Sequence, residues 1–360
     1  MNHGTSIACA PARPDTSAPP IGTLSPPVPD RVLAGVLRTY RLARFSAIPV
    51  AEGLLNRGYR VETGAGRFFL KCYVDQATAT RPVVLAQHRA TTALAALGFP
   101  IAPPVPTRDG RTFTSRDGRL FALFPWIEGS HRHGTDLDPR ETRELGALLG
   151  RLHLALGQVC TPARQPAGHR SADPEETAAL VLRLREQAGA ALPRSRFDTL
   201  VERRLTERLD LLDTHRHRRP APQAAPPTGW THGDFHGLNL LYRQGRVSAV
   251  LDWDKLGFRP QAEEAVRAAT LLFDDRRTGV LDLNRVRHWS RAYRSTGAAT
   301  TADLAAATHR VWWERLNDLW MLQWHYQRND HRADPLFPAS AGQLTWWCQE
   351  YEQVLDALTN

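Results

Sequence analysis

Cysteine is scarce in this 360-residue chain, and its four copies, Cys9, Cys72, Cys160 and Cys348, lie far apart. Without a CxxC pair or metal-ligand spacing they give no sign of a disulfide framework or a cysteine metal centre, and a reduced cytoplasm is the expected compartment. No apolar run approaches the roughly 18 residues a membrane span requires, so no membrane partner is expected. The amino terminus lacks the basic start and continuous apolar stretch of a secretory signal. No internal repeat and no G-x-G-x-x-G phosphate loop is present. The net charge is +9, yet the arginines are spread out with no aromatic-interleaved pattern, so nucleic acid is not an expected partner. Residues 224–360 hold 15 Lys and Arg against 16 Asp and Glu, so the positive excess falls in residues 1–223.

A hydrophobic share of 42% and a charged share of 23% are those of a globular protein, and the length suffices for two packed lobes. Residues 1–30 differ. Pro11, Pro14, Pro19, Pro20, Pro26, Pro27 and Pro29 sit among small polar residues with little to bury, which predicts a disordered tail. A second loop is expected over His215 to Thr228, basic and then proline-rich.

The most informative stretch is Thr231-His232-Gly233-Asp234-Phe235-His236-Gly237-Leu238-Asn239-Leu240-Leu241, followed by Val250-Leu251-Asp252-Trp253-Asp254. Phosphoryl transfer needs one carboxylate to accept a hydroxyl proton. It also needs an amide and a second carboxylate to hold Mg²⁺ against nucleotide phosphates. Leu240–Tyr242 and Val247–Leu251 read as short strands joined across Gln244-Gly245, which returns Asp252 to the side of Asn239. Taken singly, an Asp or Asn here serves equally well to close a turn. All three at this spacing favour chemistry.

These residues resemble the aminoglycoside phosphotransferase and choline kinase family, a branch of the protein-kinase-like fold. The family's H-G-D-x-H-x-x-N-x-L is complete at 232–241, and its I-D-W/F-D/E strand stands as Leu251-Asp252-Trp253-Asp254. The resemblance implies an α+β bilobal architecture. A small, mainly antiparallel amino-terminal lobe over 31–126 binds nucleotide, and a mostly helical lobe over 127–360 carries catalysis and the acceptor. It implies ATP and Mg²⁺ as cofactors, Asp234 as catalytic base, and Asn239 and Asp252 as metal ligands.

The amino-terminal third agrees. Arg57–Thr63 alternates as a strand, Gly64-Ala65-Gly66 turns it, and Arg67–Tyr73 returns with Lys71 inside it. By the resemblance Lys71 grips the α- and β-phosphates, and Gly53-Leu54-Leu55-Asn56-Arg57 is similar to the phosphate-covering turn, which makes Asn56 a nucleotide contact. A helix is expected from Pro82 to Leu97, stopped by Gly98 and Pro100. Where relatives carry a Glu that pairs with the strand lysine, this chain has Gln87, with no charge to offer. His88 beside it is expected at the surface. Leu120–Trp126 resembles the hinge, so backbone at Leu123, Phe124 and Trp126 is expected to receive the adenine edge.

Leu145, Leu148, Leu149 and Leu152 fall on one helical face and read as core scaffold, with His153 as a buried, hydrogen-bonded histidine. Glu264 occupies roughly a family Asp position and reads equally as a residue that orients the catalytic loop or as a plain acidic residue at a helix start. Trp313, Leu316, Trp320 and Trp324 recur at helical spacing, a pattern more often core than ligand platform. Glu314 and Asp318 read as one helix face. With Asp330 and Asp334 they suit an amine-rich acceptor, or else serve as partners for Arg310, Arg315 and Arg328.

The expected function is transfer of the ATP γ-phosphate to a hydroxyl of a small-molecule acceptor. An aminoglycoside or related natural product is preferred, with choline, homoserine or a sugar as alternatives. A protein kinase does not fit, because no D-F-G and A-P-E segment follows Asp252. A nucleotide-binding regulator is the non-enzymatic reading, motivated by Gln87. The oligomeric state is left open.

Overall fold

The computed structural model describes residues 27–50, 56–74, 79–161, 171–221 and 226–360. The tail expected over 1–30 thus lies largely outside the described residues. Its last residues belong to the folded protein instead: Val28 is buried, and helix α1 spans Asp30–Thr39. Val32, Leu33, Val36 and Leu37 put one apolar stripe of α1 into the core, at the i, i+4 spacing of a surface helix.

Strands β1 (Phe45–Val50), β2 (Arg57–Thr63), β3 (Gly66–Tyr73), β4 (Thr114–Arg116) and β5 (Arg119–Pro125) form one antiparallel sheet in the order β1-β2-β3-β5-β4. β3 is therefore central, and Lys71 lies between Gly58 of β2 and Ala122 of β5. Helix α2 (Arg81–Ala96) follows β3 and stops where Gly98 takes φ +84, one residue from the expected bounds. Val36, Leu37, Val61, Leu70, Phe121 and Leu123 build a buried cluster between α1 and this sheet.

His88 of α2 is not at the surface. It is 3% exposed, with Nε2 3.2 Å from the Tyr73 hydroxyl and Nδ1 2.8 Å from Thr112 Oγ1. Periodicity on α2 could not reveal this, because Tyr73 of β3, Phe124 of β5 and the segment with Thr112 and Phe113 cover the ring. Burial, and then the charge of Lys71, push its pKa down from 6.5 to about 4. The folded protein therefore declines a proton that the unfolded chain accepts, and stability falls as the pH drops from about 6.5 towards 4. The share due to His88 is about 2 kcal/mol at pH 5. Urea unfolding at pH 7 and pH 5 should show a loss in His88→Gln that is smaller than in the parent by about this amount.

The remaining elements are mostly helical: α3 (Pro139–Val159), α4 (Pro174–Ala190), α5 (Arg196–His215), α6 (Gln261–Leu272), α7 (Leu283–Ser295), α8 (Thr301–Asn317), α9 (Trp320–Arg328), α10 (Phe337–Gln349) and α11 (Tyr351–Thr359). Two two-stranded antiparallel sheets lie among them, β6 (Thr228–Thr231) with β9 (Gly257–Pro260) and the hairpin β7 (Leu240–Arg243) with β8 (Arg246–Val250). A capping box between Asp138 and Glu141, with Pro139 in the first turn, starts α3. Its leucines 145, 148, 149 and 152 are buried as expected. Gly146 lets α3 approach α7 closely: a Cβ there would lie 2.4 Å from the Trp289 carbonyl oxygen.

Trp313 and Leu316 are core residues, as are Trp312 and Trp347, whereas Trp320 and Trp324 of the same expected stripe are only partly buried. The expected single helix is instead two, because α8 ends at Asn317 and Asp318 is extended. Glu314 and Asp318 therefore do not share a helix face. No glycine or proline marks this break. It is held by tertiary bonds, Arg208 donating to the carbonyls of Arg315, Leu316 and Asp318. No described helix is long and apolar enough to cross a membrane.

Candidate active site

The turn Gln244-Gly245, with φ of 52° and 73°, joins β7 to β8 in the doubly left-handed geometry that matches strand twist. Leu251 N donates to Asn239 O at 2.8 Å, so Asp252 emerges beside Asn239 as the spacing implied. Asp252 itself has φ 56°, which turns the chain sharply into the short 3₁₀ turn Trp253–Lys255. A non-glycine residue held in this region marks a position over-determined by its surroundings.

Lys71 reaches across from β3 to this turn. Its ammonium lies 2.8 Å from Asp252 Oδ1 and 2.7 Å from Asp254 Oδ1. Burial disfavours the charge on Lys71, but Asp254 and Asp252 outweigh it and hold the group above its ordinary value. Burial, then the neighbouring carboxylate of Asp252, holds Asp254 above the usual range despite Lys71. Asp252 is depressed, because Lys71 offsets its burial. Two carboxylates around one ammonium leave a negative charge to spare. Asn56 joins them, its Nδ2 donating to Asp254 Oδ2 and its Oδ1 accepting from Val74 N at 3.1 Å. Residues 53–55 of the same expected turn lie outside the described residues.

Gln87 does not contact Lys71 in the manner expected of a paired glutamate. Its Nε2 donates to the Asp254 carbonyl at 2.9 Å and ties α2 to the Asp252–Asp254 turn. A glutamate here would add a third carboxylate around one ammonium. The neutral amide suits a site where Asp254 already supplies the second negative charge.

Asp234 sits between two cations, Lys255 Nζ at 3.0 Å and Arg267 Nη1 at 3.2 Å, with His236 Nε2 at 3.5 Å. Burial alone would raise its carboxyl. The hydrogen bond from His236 and the charges of Lys255 and Arg267 reverse this and hold it far below the usual carboxylate range. Neither cation was anticipated from motif spacing. The signal was in composition: among 46 lysines and arginines only Lys71 and Lys255 are lysine, and both touch this cluster.

The loop carrying Asp234 is held from behind. Glu264, buried in the first turns of α6, accepts from His232 N at 3.0 Å, from Gly233 N, and from His153 Nε2 at 2.8 Å. Those donors outweigh burial and keep Glu264 ionised. His153 is fixed in turn by the Tyr293 hydroxyl, 2.9 Å from Nδ1. His232 donates from Nε2 to Leu251 O at 2.8 Å and accepts Asp234 N at Nδ1. One neutral tautomer satisfies both, in keeping with a pKa lowered by burial. Gly233 has φ +86, and a Cβ there would lie 2.1 Å from Lys255 O, so no other residue fits.

Asn239 gives its Nδ2 to Asp234 O at 2.9 Å, which turns Oδ1 the other way. Asn239 and Asp252 thus offer oxygen donors beside surplus negative charge, the set that suits Mg²⁺.

The expected hinge needs correction in detail. Leu123 O accepts from Val105 N at 2.7 Å, and Trp126 N donates to Arg67 O at 3.1 Å, so these two groups are committed to the protein. Phe124 pairs with Phe69 in the sheet, and its ring meets the edge of His88. In the planar peptide before Trp126 the Pro125 carbonyl points opposite to the Trp126 N–H, away from β3.

The profile of the phosphotransferase enzyme family matches residues 46–299. The chain belongs to this family. It is 27% identical over 312 residues to the homoserine kinase of Burkholderia multivorans, covering 82% of this chain and 87% of that one. A shorter match, 34% over 134 residues, spans 36% of the chain and only 38% of the homoserine kinase of Hyphomonas neptunium. Among solved structures, spectinomycin phosphotransferase in complex with ADP and spectinomycin superposes with a TM-score of 0.62 at 14% identity, over 92% of this chain and 97% of that one. The fold is therefore the α+β kinase-like one, and the protein is a small-molecule phosphotransferase.

The acids expected to greet an amine-rich acceptor are largely engaged elsewhere. Asp330 pairs with Arg332 at 2.6 Å, Asp334 contacts His325 and His331, and Asp318 Oδ1 accepts from Trp320 N. Of the arginines proposed as their partners, Arg310 instead pairs with Glu263 at 2.6 Å.

Proposed function

We propose that this protein transfers the γ-phosphate of ATP to a small hydroxyl compound that also bears an anionic group, a hydroxy amino acid such as homoserine. The observation that carries the acceptor class is the pair of cations at Asp234. Lys255 and Arg267, with side chains 43% and 41% exposed, bring two positive charges to one carboxylate. The surplus attracts a carboxylate at the place where a hydroxyl must approach Asp234, and it repels a polycation. The curated homoserine kinases, matched over most of their length, point the same way.

In this reading Asp234 accepts a hydrogen bond from the acceptor hydroxyl and aligns it. Its low pKa keeps it ionised, and its positioning matters more than its basicity. Lys71 presents its ammonium to the α- and β-phosphates, with Asn56 beside it, and Pro125 O with the following backbone meets the adenine edge. Asn239 and Asp252 would hold Mg²⁺, which would supply neutralisation of charge on the phosphate oxygens. Lys255 and Arg267 stabilise charge on the acceptor side of the transferring group.

The test is Mg²⁺-dependent ATP turnover with homoserine, an aminoglycoside, choline and a simple sugar, with Asp234→Asn as blank. Homoserine or a related hydroxy acid is expected to stimulate turnover. Lys255→Ala should then raise the KM for that acceptor about 10–100-fold, the worth of a charge-assisted hydrogen bond, and leave the KM for ATP nearly unchanged. Turnover with an aminoglycoside and not with a carboxylate-bearing acceptor would return the reading to the antibiotic-modifying class.

A further inference from the structure

His325, His331 and Asp334 lie in none of the contacts described for phosphoryl transfer, yet their donor atoms converge. His325 Nδ1 is 2.8 Å from Asp334 Oδ2, His331 Nδ1 is 3.2 Å from the same oxygen, and the two Nδ1 atoms are 3.0 Å apart. From these distances we infer a binding site for a first-row divalent cation of the zinc type, with His325 Nδ1, His331 Nδ1 and Asp334 as ligands.

The three contacts share one small volume, in which two imidazole nitrogens and one carboxylate oxygen face one another. His331 Nε2 lies 3.2 Å from the Asn329 side-chain oxygen, and a ring that donates there has its Nδ1 lone pair free as a ligand. One proton on His325 Nδ1 cannot serve His331 and Asp334 together with good geometry at both. Moreover, Asp334 Oδ1 is buried and has no hydrogen-bond partner, which leaves the carboxylate under-satisfied. One cation between His325 Nδ1, His331 Nδ1 and Asp334 Oδ2 takes all three donors at once.

The dimensions and chemistry agree. Bonds of roughly 2.0–2.2 Å from zinc to nitrogen and oxygen place tetrahedral ligands about 3.3 Å apart, so the three donors need to spread by only a few tenths of an ångström. Imidazole nitrogens select zinc-like ions over Mg²⁺, whereas Asn239 and Asp252 offer oxygen alone. The ligands are also pre-arranged. The His325 ring stacks on Phe197 of α5 at 4.6 Å and 29°, and its other neighbour, Tyr326, is anchored to Asp198 at 2.7 Å. Asn329, left-handed at φ 50°, reverses the chain after α9 so that His331 and Asp334 turn back onto His325. The hydrogen bond from His331 Nε2 is the outer contact that fixes the orientation of a metal-bound histidine. His325 and Asp334 are 14% and 21% exposed and His331 is 55% exposed, so an ion enters from the His331 side and keeps a water there. Such an ion staples the end of α9 to the turn that opens α10.

The experiment uses the full chain, stripped with a chelator and held in millimolar Mg²⁺ so that oxygen sites are filled. Micromolar Zn²⁺ is expected to bind at one equivalent per chain after gel filtration and to raise the thermal midpoint by several degrees. His331→Ala, at an exposed position, and Asp334→Asn, of equal size, should match the parent in midpoint without zinc and lose both the bound equivalent and the rise. Co²⁺ in place of Zn²⁺ should give the visible bands of a nitrogen-ligated, low-coordinate ion in the parent alone. Parent protein that retains no more zinc than His331→Ala would overturn the assignment, as would equal midpoint rises in all three proteins.

Discussion

Replacing Asp234 with asparagine is expected to lower kcat by about 10²–10⁴-fold, the usual worth of a positioned proton acceptor, with the KM for ATP nearly unchanged. Asparagine keeps the shape of the side chain and the backbone bond that Asp234 N gives to His232. Lys255 and Arg267 lose a partner, but both are partly solvated, so the thermal midpoint should move little. A fall in kcat together with a large loss of stability would mean that Asp234 braces the loop and does not align the acceptor. The pH profile adds an independent check. The pKa of Asp234 is depressed by His236, Lys255 and Arg267 against the effect of burial. The carboxylate therefore persists through mildly acidic solution, and kcat should not decline through the ordinary carboxylate range on account of this group.

Much of this site was legible because it is local. Asp234, Asn239 and Asp252 follow from a loop, a two-residue turn and a hairpin, whose geometry is encoded within about twenty residues. The leucine face of α3 was equally plain, since helical periodicity states which residues face inward. Periodicity does not state what covers a face, which is why His88 was misplaced at the surface. The α8–α9 break was hidden for a related reason: Arg208, more than a hundred residues away, holds it by hydrogen bonds to three carbonyls. Lys255 and Arg267 reach Asp234 from the turn after β8 and from α6, and no single-segment motif joins these elements.

Gln87 shows the same limit with a different outcome. In the sequence it looks like a missing counter-ion and motivates a non-catalytic reading. In the fold the counter-charges of Lys71 come from Asp252 and Asp254, two residues that no spacing rule pairs with β3. The charge expected on α2 has been moved to the carboxyl end of β8. Gln87 keeps only the structural half of the role, the tie between α2 and that turn.

Lys71→Met is the other substitution with a large expected effect, and it separates binding from folding. Methionine fills the stem of the lysine but leaves two carboxylates with no cation, Asp254 at 24% side-chain exposure and Asp252 at 45%. Breaking a fully buried pair from one side costs about 3–5 kcal/mol, and solvent at Asp252 reduces the expected loss to about 1–3 kcal/mol. The sign of its pH dependence follows from the structure. Without the ammonium, burial and mutual repulsion raise both carboxyls above their unfolded values. The folded form then binds protons more readily than the unfolded chain, so the deficit is full at neutral pH and shrinks as the pH falls. Urea titrations of parent and variant, free of Mg²⁺ and nucleotide, should therefore converge towards pH 5 and diverge at pH 8. Lys71→Arg preserves the charge and should recover much of the stability at pH 8. Its planar guanidinium cannot occupy the same point between Asp252 Oδ1 and Asp254 Oδ1, at 2.8 and 2.7 Å, and also meet phosphate oxygens. Turnover should stay low in Lys71→Arg although the fold is restored. Full activity there would show that charge alone is needed at position 71, and would remove the geometric reason for retaining a lysine in so arginine-rich a chain.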